Sequence, residues 1–196
     1  PWNVPRGFPG SHSLDLLNHS LDTFLKTGAL SSPTFEKSLR DGKGDRSGWC
    51  ELQPKVLILE GWFVGCVPVS DLCKIDDLDE DNFNLSLSQS EKDYRTLIQE
   101  SLLEYCKIWE KFHKIWHLKS TKFDNTILWK SQQENEMIKL KGSGLKGNNL
   151  SDFIRMIQTS IPQQSLSFIN SDTTVEINQN RRIEKLKTTS YHFQYK

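Results

Sequence analysis

The sequence predicts an α/β fold three layers deep, with helices covering a parallel sheet. Two observations predict it. Val56-Leu57-Ile58-Leu59 is an unbroken branched apolar run between Pro54 and Gly61, and such a run reads as a strand buried on both faces. Elsewhere helix-period stretches alternate with short strand-like ones, the order of elements that α/β layers need. Glu60 closes the apolar run. An acid at the C-terminal end of such a strand sits where open α/β sheets bind ligands. Its plainer alternative is to cap a solvated turn.

Length and composition narrow the class. A chain of 196 residues suits one domain, or one domain and part of another. Twenty-five basic and 25 acidic side chains cancel, which leaves no electrostatic footprint for nucleic acid. No apolar run approaches the roughly 20 residues that span a bilayer, so no membrane partner is expected, and there is no signal peptide. Cys50, Cys66, Cys73 and Cys106 form no CxxC pair and no zinc spacing with His. Cys66 and Cys106 fall in apolar patterns, and buried thiols point to a reducing, cytoplasmic setting. Oligomeric state is not legible.

Taken in order, residues 1–13 are rich in Pro and Gly and read as loop. The loop holds Arg6 and His12, and is either an anion-binding loop or an ordinary surface connection. Residues 14–27 predict a helix, with Leu14, Leu17, Leu21, Phe24 and Leu25 on one face. Ser11 or Ser13 could cap its start and Gly28 its end. Residues 31–49 read as loop again. Lys37, Arg40, Lys43 and Arg46 gather around Gly42-Lys43-Gly44-Asp45-Arg46. Such a loop can hold phosphate or carboxylate oxygens; its alternative is a solvated flexible loop. The acidic span 70–91, including Asp76, reads as solvated surface without calcium-loop spacing.

Residues 92–114 give the strongest helical pattern, an apolar and aromatic stripe of Ile98, Leu102, Tyr105, Trp109 and Phe112 that reads as core. Residues 115–118 predict a short strand, with His117 a structural histidine. Residues 126–141 predict a helix, followed by a mobile basic loop around Gly142, Gly144 and Gly147. A further helix is predicted over 151–161, capped by Ser151, and Pro162 follows it. Residues 173–178 and 182–186 read as short strands around Gln179-Asn180.

Five stretches, in order, resemble one family. Arg6-Gly7-Phe8-Pro9-Gly10-Ser11-His12 is similar to the RGxPGTHD loop of the D-glycerate 3-kinases, in the phosphoribulokinase and uridine kinase group of P-loop kinases. Residues 33–46 (PTFEKSLRDGKGDR) resemble that family's PxYDKSxxxGxGDR segment, and residues 59–65 (LEGWFVG) its LEGWxxG strand end. Residues 129–134 (WKSQQE) are similar to its WRLxQE helix beside the nucleotide lid, and Val175-Glu176-Ile177-Asn178 with Arg181-Arg182 to its closing strand and turn. Ser13 and Glu36 stand where the family has Asp, and Lys130 where it has Arg.

The resemblance implies a P-loop kinase-like three-layer fold over residues 1–196, with 126–161 as lid region and following helix. It implies ATP-dependent phosphorylation of D-glycerate, with ATP and Mg2+ as cofactors. Glu60 would bind the metal and, with Arg46, serve catalysis. Arg6, Gly10, His12, Lys37, Asp45 and Arg46 would hold the substrate. Lys130, Lys141, Asn180 and Arg181 would face the nucleotide. The phosphate-binding GxxxxGK[ST] motif and the family's acidic DDFY-type stretch do not occur in the 196 residues. The expectation is that both lie upstream of Pro1, and that the 196 residues alone turn over no substrate. Two further readings stay open: a relative in the same group acting on another small hydroxylated acceptor, and a non-catalytic remnant.

Overall fold

The computed structural model describes residues 6–69, 75–76, 85–142, 144–162, 165–166 and 171–188. Among them the elements run α1 (Leu14–Thr27), β1 (Leu30–Glu36), β2 (Asp45–Leu52), α2 (Gln89–Trp109), β3 (Trp116–Ser120), α3 (Phe123–Lys141), α4 (Gly147–Ser160), β4 (Thr173–Ile177) and β5 (Ile183–Thr188). The result is a mixed α/β molecule with two sheets. β1 and β2 form an antiparallel hairpin. The second sheet has the order β3-β4-β5. β3 and β4 are parallel, connected through α3 and α4, and β5 returns antiparallel. The expected parallel sheet is thus present, among the described residues, as one parallel pair.

Several elements match their sequence signals. α1 spans the predicted residues, and Gly28 ends it in the left-handed conformation that glycine adopts without a steric cost. Ser13 occupies the N-cap position without bonding from its side chain; Ser11 instead bonds the Phe8 carbonyl. β4 and β5 flank a turn organised by Asn178, whose Oδ1 accepts from the amides of Asn180 and Arg182. α2 begins with a capping box between Ser88 and Glu91. It ends at Trp109, so Phe112 lies beyond the predicted helical stripe.

Other expectations are corrected. The apolar run at 56–60 is not a ladder strand, and Val56 and Ile58 are 72% and 84% exposed. Apolar composition favours burial, but a central strand also needs partners for its amides along both edges. The described residues provide none there. Residues 31–49, expected as loop, carry most of the hairpin β1–β2. Their Ser, Thr and Pro content signals lack of burial, whereas ladder pairing uses the backbone. Pro33 is tolerated because each strand of a two-stranded hairpin has a free edge. α4 starts at Gly147 with Lys146 as its cap residue; Ser151 lies inside it and bonds the Gly147 carbonyl.

Asp76 corrects the reading of the acidic span as solvated. It is buried and its Oδ1 lies 2.6 Å from Nη1 of Arg95, a fully buried side chain that also donates to the Thr159 carbonyl. The rest of that span lies largely outside the described residues. The loop after α3, expected to be mobile, is tied at one point: the Leu145 amide donates to Glu134 Oε2 at 2.8 Å.

The main core joins Phe8, Phe63, Cys66, Tyr94, Ile98, Leu102, Met156 and Ile161. It sits between α2, α4 and the two loops that carry Phe8 and Phe63. The same apolar cluster therefore fixes the scaffold and two of the candidate site loops. Burial of the Phe8 ring alone is worth about 2 kcal/mol.

Candidate functional site

Local rules place the loops. Residues 6–12 turn tightly on themselves, with Ser11 Oγ accepting from the Gly7 amide and donating to the Phe8 carbonyl. Phe8 drops into the core, where its ring meets Phe63 edge-on at a centroid distance of 4.9 Å. Phe63 belongs to the turn just after Glu60. That turn is tied to α2 as well, because Trp109 Nε1 donates to the Cys66 carbonyl at 2.8 Å. Glu60 and the 6–12 loop are thereby anchored on one apolar cluster.

The hairpin turn at 37–44 joins them through Arg6. Arg6 Nη1 donates to the carbonyls of Gly42 and Lys43, at 3.2 and 2.8 Å, and its guanidinium lies over the Phe35 ring. Gly44 makes this approach feasible. It has φ +84°, and a Cβ there would strike the Phe35 ring and come within 2.8 Å of Arg6 Nη1. Asp45 accepts from Arg40 Nε at 2.6 Å and from the Arg46 amide at 2.8 Å. The Arg46 amide, with Arg40 beside it, holds the Asp45 carboxyl below its ordinary range.

The side chains assigned to the acceptor therefore divide by availability. Arg6 and Asp45 spend hydrogen bonds on shaping their loops. Arg46 and Glu60 are exposed, and neither side chain has a hydrogen-bond or ion-pair partner among the described residues. Lys37 is exposed on the hairpin turn. His12 turns Nδ1 to the Tyr105 hydroxyl at 2.7 Å, and the Gly10 amide donates to the same hydroxyl at 3.0 Å. Burial of one side of the ring lowers the His12 pKa.

The nucleotide candidates lie on α3 and the β4–β5 turn. Trp129 Nε1 donates to the Gln179 carbonyl at 2.8 Å, and the Arg181 guanidinium stands over the Trp129 ring. This ties the exposed Asn180-Arg181 turn to the helix that carries Lys130. The Lys130 ammonium sits 2.5 Å from Glu134 Oε1 and above the Phe153 ring, with its side chain only 17% exposed. Burial works to raise the Glu134 pKa, but Lys130 and the Leu145 amide hold it net low. Phe153 also meets Trp62, at 5.9 Å between centroids. A continuous path of side chains thus runs from Lys130 through Phe153 to Trp62, two residues from Glu60. Lys141 is not part of it: it ends α3, about 16 Å further along the axis from Lys130 at 1.5 Å per residue.

The sequence suggests no site role for Phe153, and Tyr105 falls in the stripe read as core. The signal for Tyr105 was available: a phenol within an apolar stripe requires a hydrogen-bond partner.

No family model matches the chain. It is 27% identical over 172 residues to the uncharacterized kinase mug58 of Schizosaccharomyces pombe, covering 81% of this chain and 57% of that protein. It is 26% identical over 203 residues to the probable ATP-dependent kinase TDA10 of Saccharomyces cerevisiae, covering 93% and 66%. The chain thus spans less than two thirds of the length of either relative. In fold it is similar to D-glycerate 3-kinase from Cryptococcus neoformans, with a TM-score of 0.77 and 23% identity over 94% of this chain and 69% of that one. It is also similar to the YGR205w protein, with a TM-score of 0.72 and 24% identity over 96% and 68%. The resemblance to D-glycerate 3-kinases is thus met by a likeness in sequence to two kinases and in fold to a D-glycerate 3-kinase.

Proposed function

We propose that this chain carries the acceptor-binding part of an ATP-dependent small-molecule kinase whose acceptor is D-glycerate. The observation that carries the reading is the joining of the Arg6–His12 loop, the Gly42–Arg46 turn and the Glu60 turn through Arg6 and the Phe8–Phe63 contact. Glycerate is a small anion with two hydroxyls. Arg46 offers a planar pair of donors to its carboxylate, with Lys37 and His12 as further donors. Arg6 and Asp45 keep the two loops in the conformation that presents these groups, and the Gly10 amide fixes the loop carrying His12.

Magnesium fits the donor set. Among the described residues no three His, Cys, Asp or Glu side chains gather to form a protein-only cage. Mg2+ is commonly held by one or two carboxylates and substrate phosphates, and Glu60 supplies one open carboxylate to the ion or its water. When bound, the ion would neutralise charge on the transferring phosphoryl group. Asn180 and Arg181 would face the base of ATP. Lys141 would serve the phosphates from the end of α3, and Lys130 would do so by exchanging Glu134 for a phosphate oxygen.

Isothermal titration of D-glycerate into the 196-residue protein tests the acceptor site without requiring turnover. Saturable binding is expected, with Arg46→Ala weakening it at least about tenfold through loss of a charge-assisted pair. Absence of binding, or equal binding by the variant, would overturn the assignment. Because GxxxxGK[ST] is absent from these residues, the chain alone is expected to show no D-glycerate phosphorylation with Mg-ATP. Turnover at typical kinase rates, about 1–100 per second, would assign the phosphate-holding role to residues present here.

A further inference from the structure

Tyr105 lies on α2 in the middle of the core stripe, only 4% exposed. Its hydroxyl nevertheless serves the 6–12 loop. The Gly10 amide donates to Oη at 3.0 Å, and His12 Nδ1 lies 2.7 Å away on the same oxygen. The two rings meet edge to face, 5.8 Å between centroids.

The proton inventory of this contact has one consistent solution. Gly10 can only donate, so it occupies a lone pair of Oη. The phenol proton needs an acceptor, and among the described residues His12 Nδ1 is the one within reach. A protonated Nδ1 would be a further donor to Oη and would leave the buried phenol proton without an acceptor, which is costly. Burial, the largest influence, raises the Tyr105 pKa, while the amides of Gly10 and His12 act to lower it. The phenol remains protonated at neutral pH and acts as the donor.

Fixing Nδ1 as acceptor fixes the neutral imidazole with its proton on Nε2. Nε2 has no partner among the described residues, and the residue is exposed. We propose that Tyr105 is a positioning residue of the acceptor site: held by the Gly10 amide, its hydroxyl sets His12 in the Nε2–H tautomer and turns the ring into an outward hydrogen-bond donor for an oxygen of a small hydroxy acid. The ligand half of this inference rests on the acceptor reading above; the tautomer half does not. It also explains mechanically why the 6–12 loop is tied to α2 by a polar contact as well as by Phe8.

The test uses the full chain labelled with 15N-histidine. Long-range proton–nitrogen correlation at pH 7.5, with the His12 signals identified by their loss in His12→Asn, reports the tautomer directly. The expected result is a bare Nδ1 and a protonated Nε2 in the unaltered protein, and a mixed tautomer population in Tyr105→Phe. A purely packing role for Tyr105 would leave the tautomer unchanged. D-glycerate affinity should fall about three- to tenfold in Tyr105→Phe, and that penalty should vanish in a His12→Asn background, where the hydroxyl has no imidazole to orient. Protonated Nδ1 in the unaltered protein overturns the inference without any variant having to fold. So does a tautomer indifferent to Tyr105→Phe. A fixed Nε2–H tautomer that Tyr105→Phe releases, in a protein that binds no D-glycerate, supports the hold of Tyr105 on His12 and overturns the acceptor reading alone.

Discussion

Glu91 closes its own helix and clamps another. Its carboxylate accepts from the Ser88 amide at the start of α2 and from Arg155 of α4, at 2.7 and 2.9 Å. Arg155, the main cause, together with Ser88 pushes the Glu91 pKa down to about 2 against the opposing effect of burial. A carboxylate whose pKa is lowered by folding stabilises the fold fully above its ordinary value near 4.5 and loses that contribution as pH falls toward 2. Glu91→Gln should therefore lower urea-unfolding stability by roughly 2–3 kcal/mol at pH 7. The gap between variant and parent should close as the pH is taken from 5 to 2.5; a gap that persists would show that charge is not its source. Arg95 offers a second test. Arg95→Ala leaves Asp76 and the Thr159 carbonyl without their buried partner and should cost about 3–5 kcal/mol. A loss below about 1 kcal/mol, the range of an exposed pair, would mean that Asp76 reaches water.

At the scale of elements, the hairpin turn depends on one glycine. Gly44→Ala puts a Cβ against Phe35 and Arg6 in a backbone conformation that alanine adopts poorly. The expected outcome is a local loss of about 1–2 kcal/mol and weakened D-glycerate binding in calorimetry, with the helical circular dichroism signal intact. Unchanged affinity would detach this turn from recognition. Which elements could be read from sequence follows from where each takes its stability. α1 was legible because its own apolar face and Gly28 define it. β4 and β5 were legible because Gln179-Asn180 marks their turn. The β1–β2 hairpin was hidden because its strands are held by backbone ladders, while Ser31, Ser32 and Pro33 advertise only exposure. The 56–60 run misled in the opposite direction, since burial of a strand depends on neighbours that a local pattern cannot supply. Within the proposed site, charge and glycine content pointed to Arg6 and Arg46, and the end of an apolar run to Glu60. They could not show that Arg6 and Asp45 are engaged within the loops, or that Lys130 is paired with Glu134, because both facts depend on contacts across the fold.

Across the whole molecule, part of the exposed apolar surface lies on chain that has a free edge among the described residues. Val56 and Ile58 are exposed, and so are Trp116 and Leu118 on β3, a strand that has one open edge among the described residues. Such edges invite pairing with other chains. Concentration-dependent association is expected in sedimentation, and the double change Val56→Lys with Ile58→Lys should reduce it without altering the unfolding midpoint by more than about 1 kcal/mol in stability. Association that is equally strong in the variant would move its origin to β3 or elsewhere. Among the described residues no helix is long and apolar enough to cross a membrane.

The seam made by Arg6 has a consequence for altering specificity. One guanidinium nitrogen stitches two segments that lie more than thirty positions apart in the chain, so neither segment can be exchanged as an independent cassette. Transplanting residues 37–46 from a relative while retaining the host's 6–12 would mismatch the stitch, and a graft meant to redirect substrate choice has to carry both pieces together.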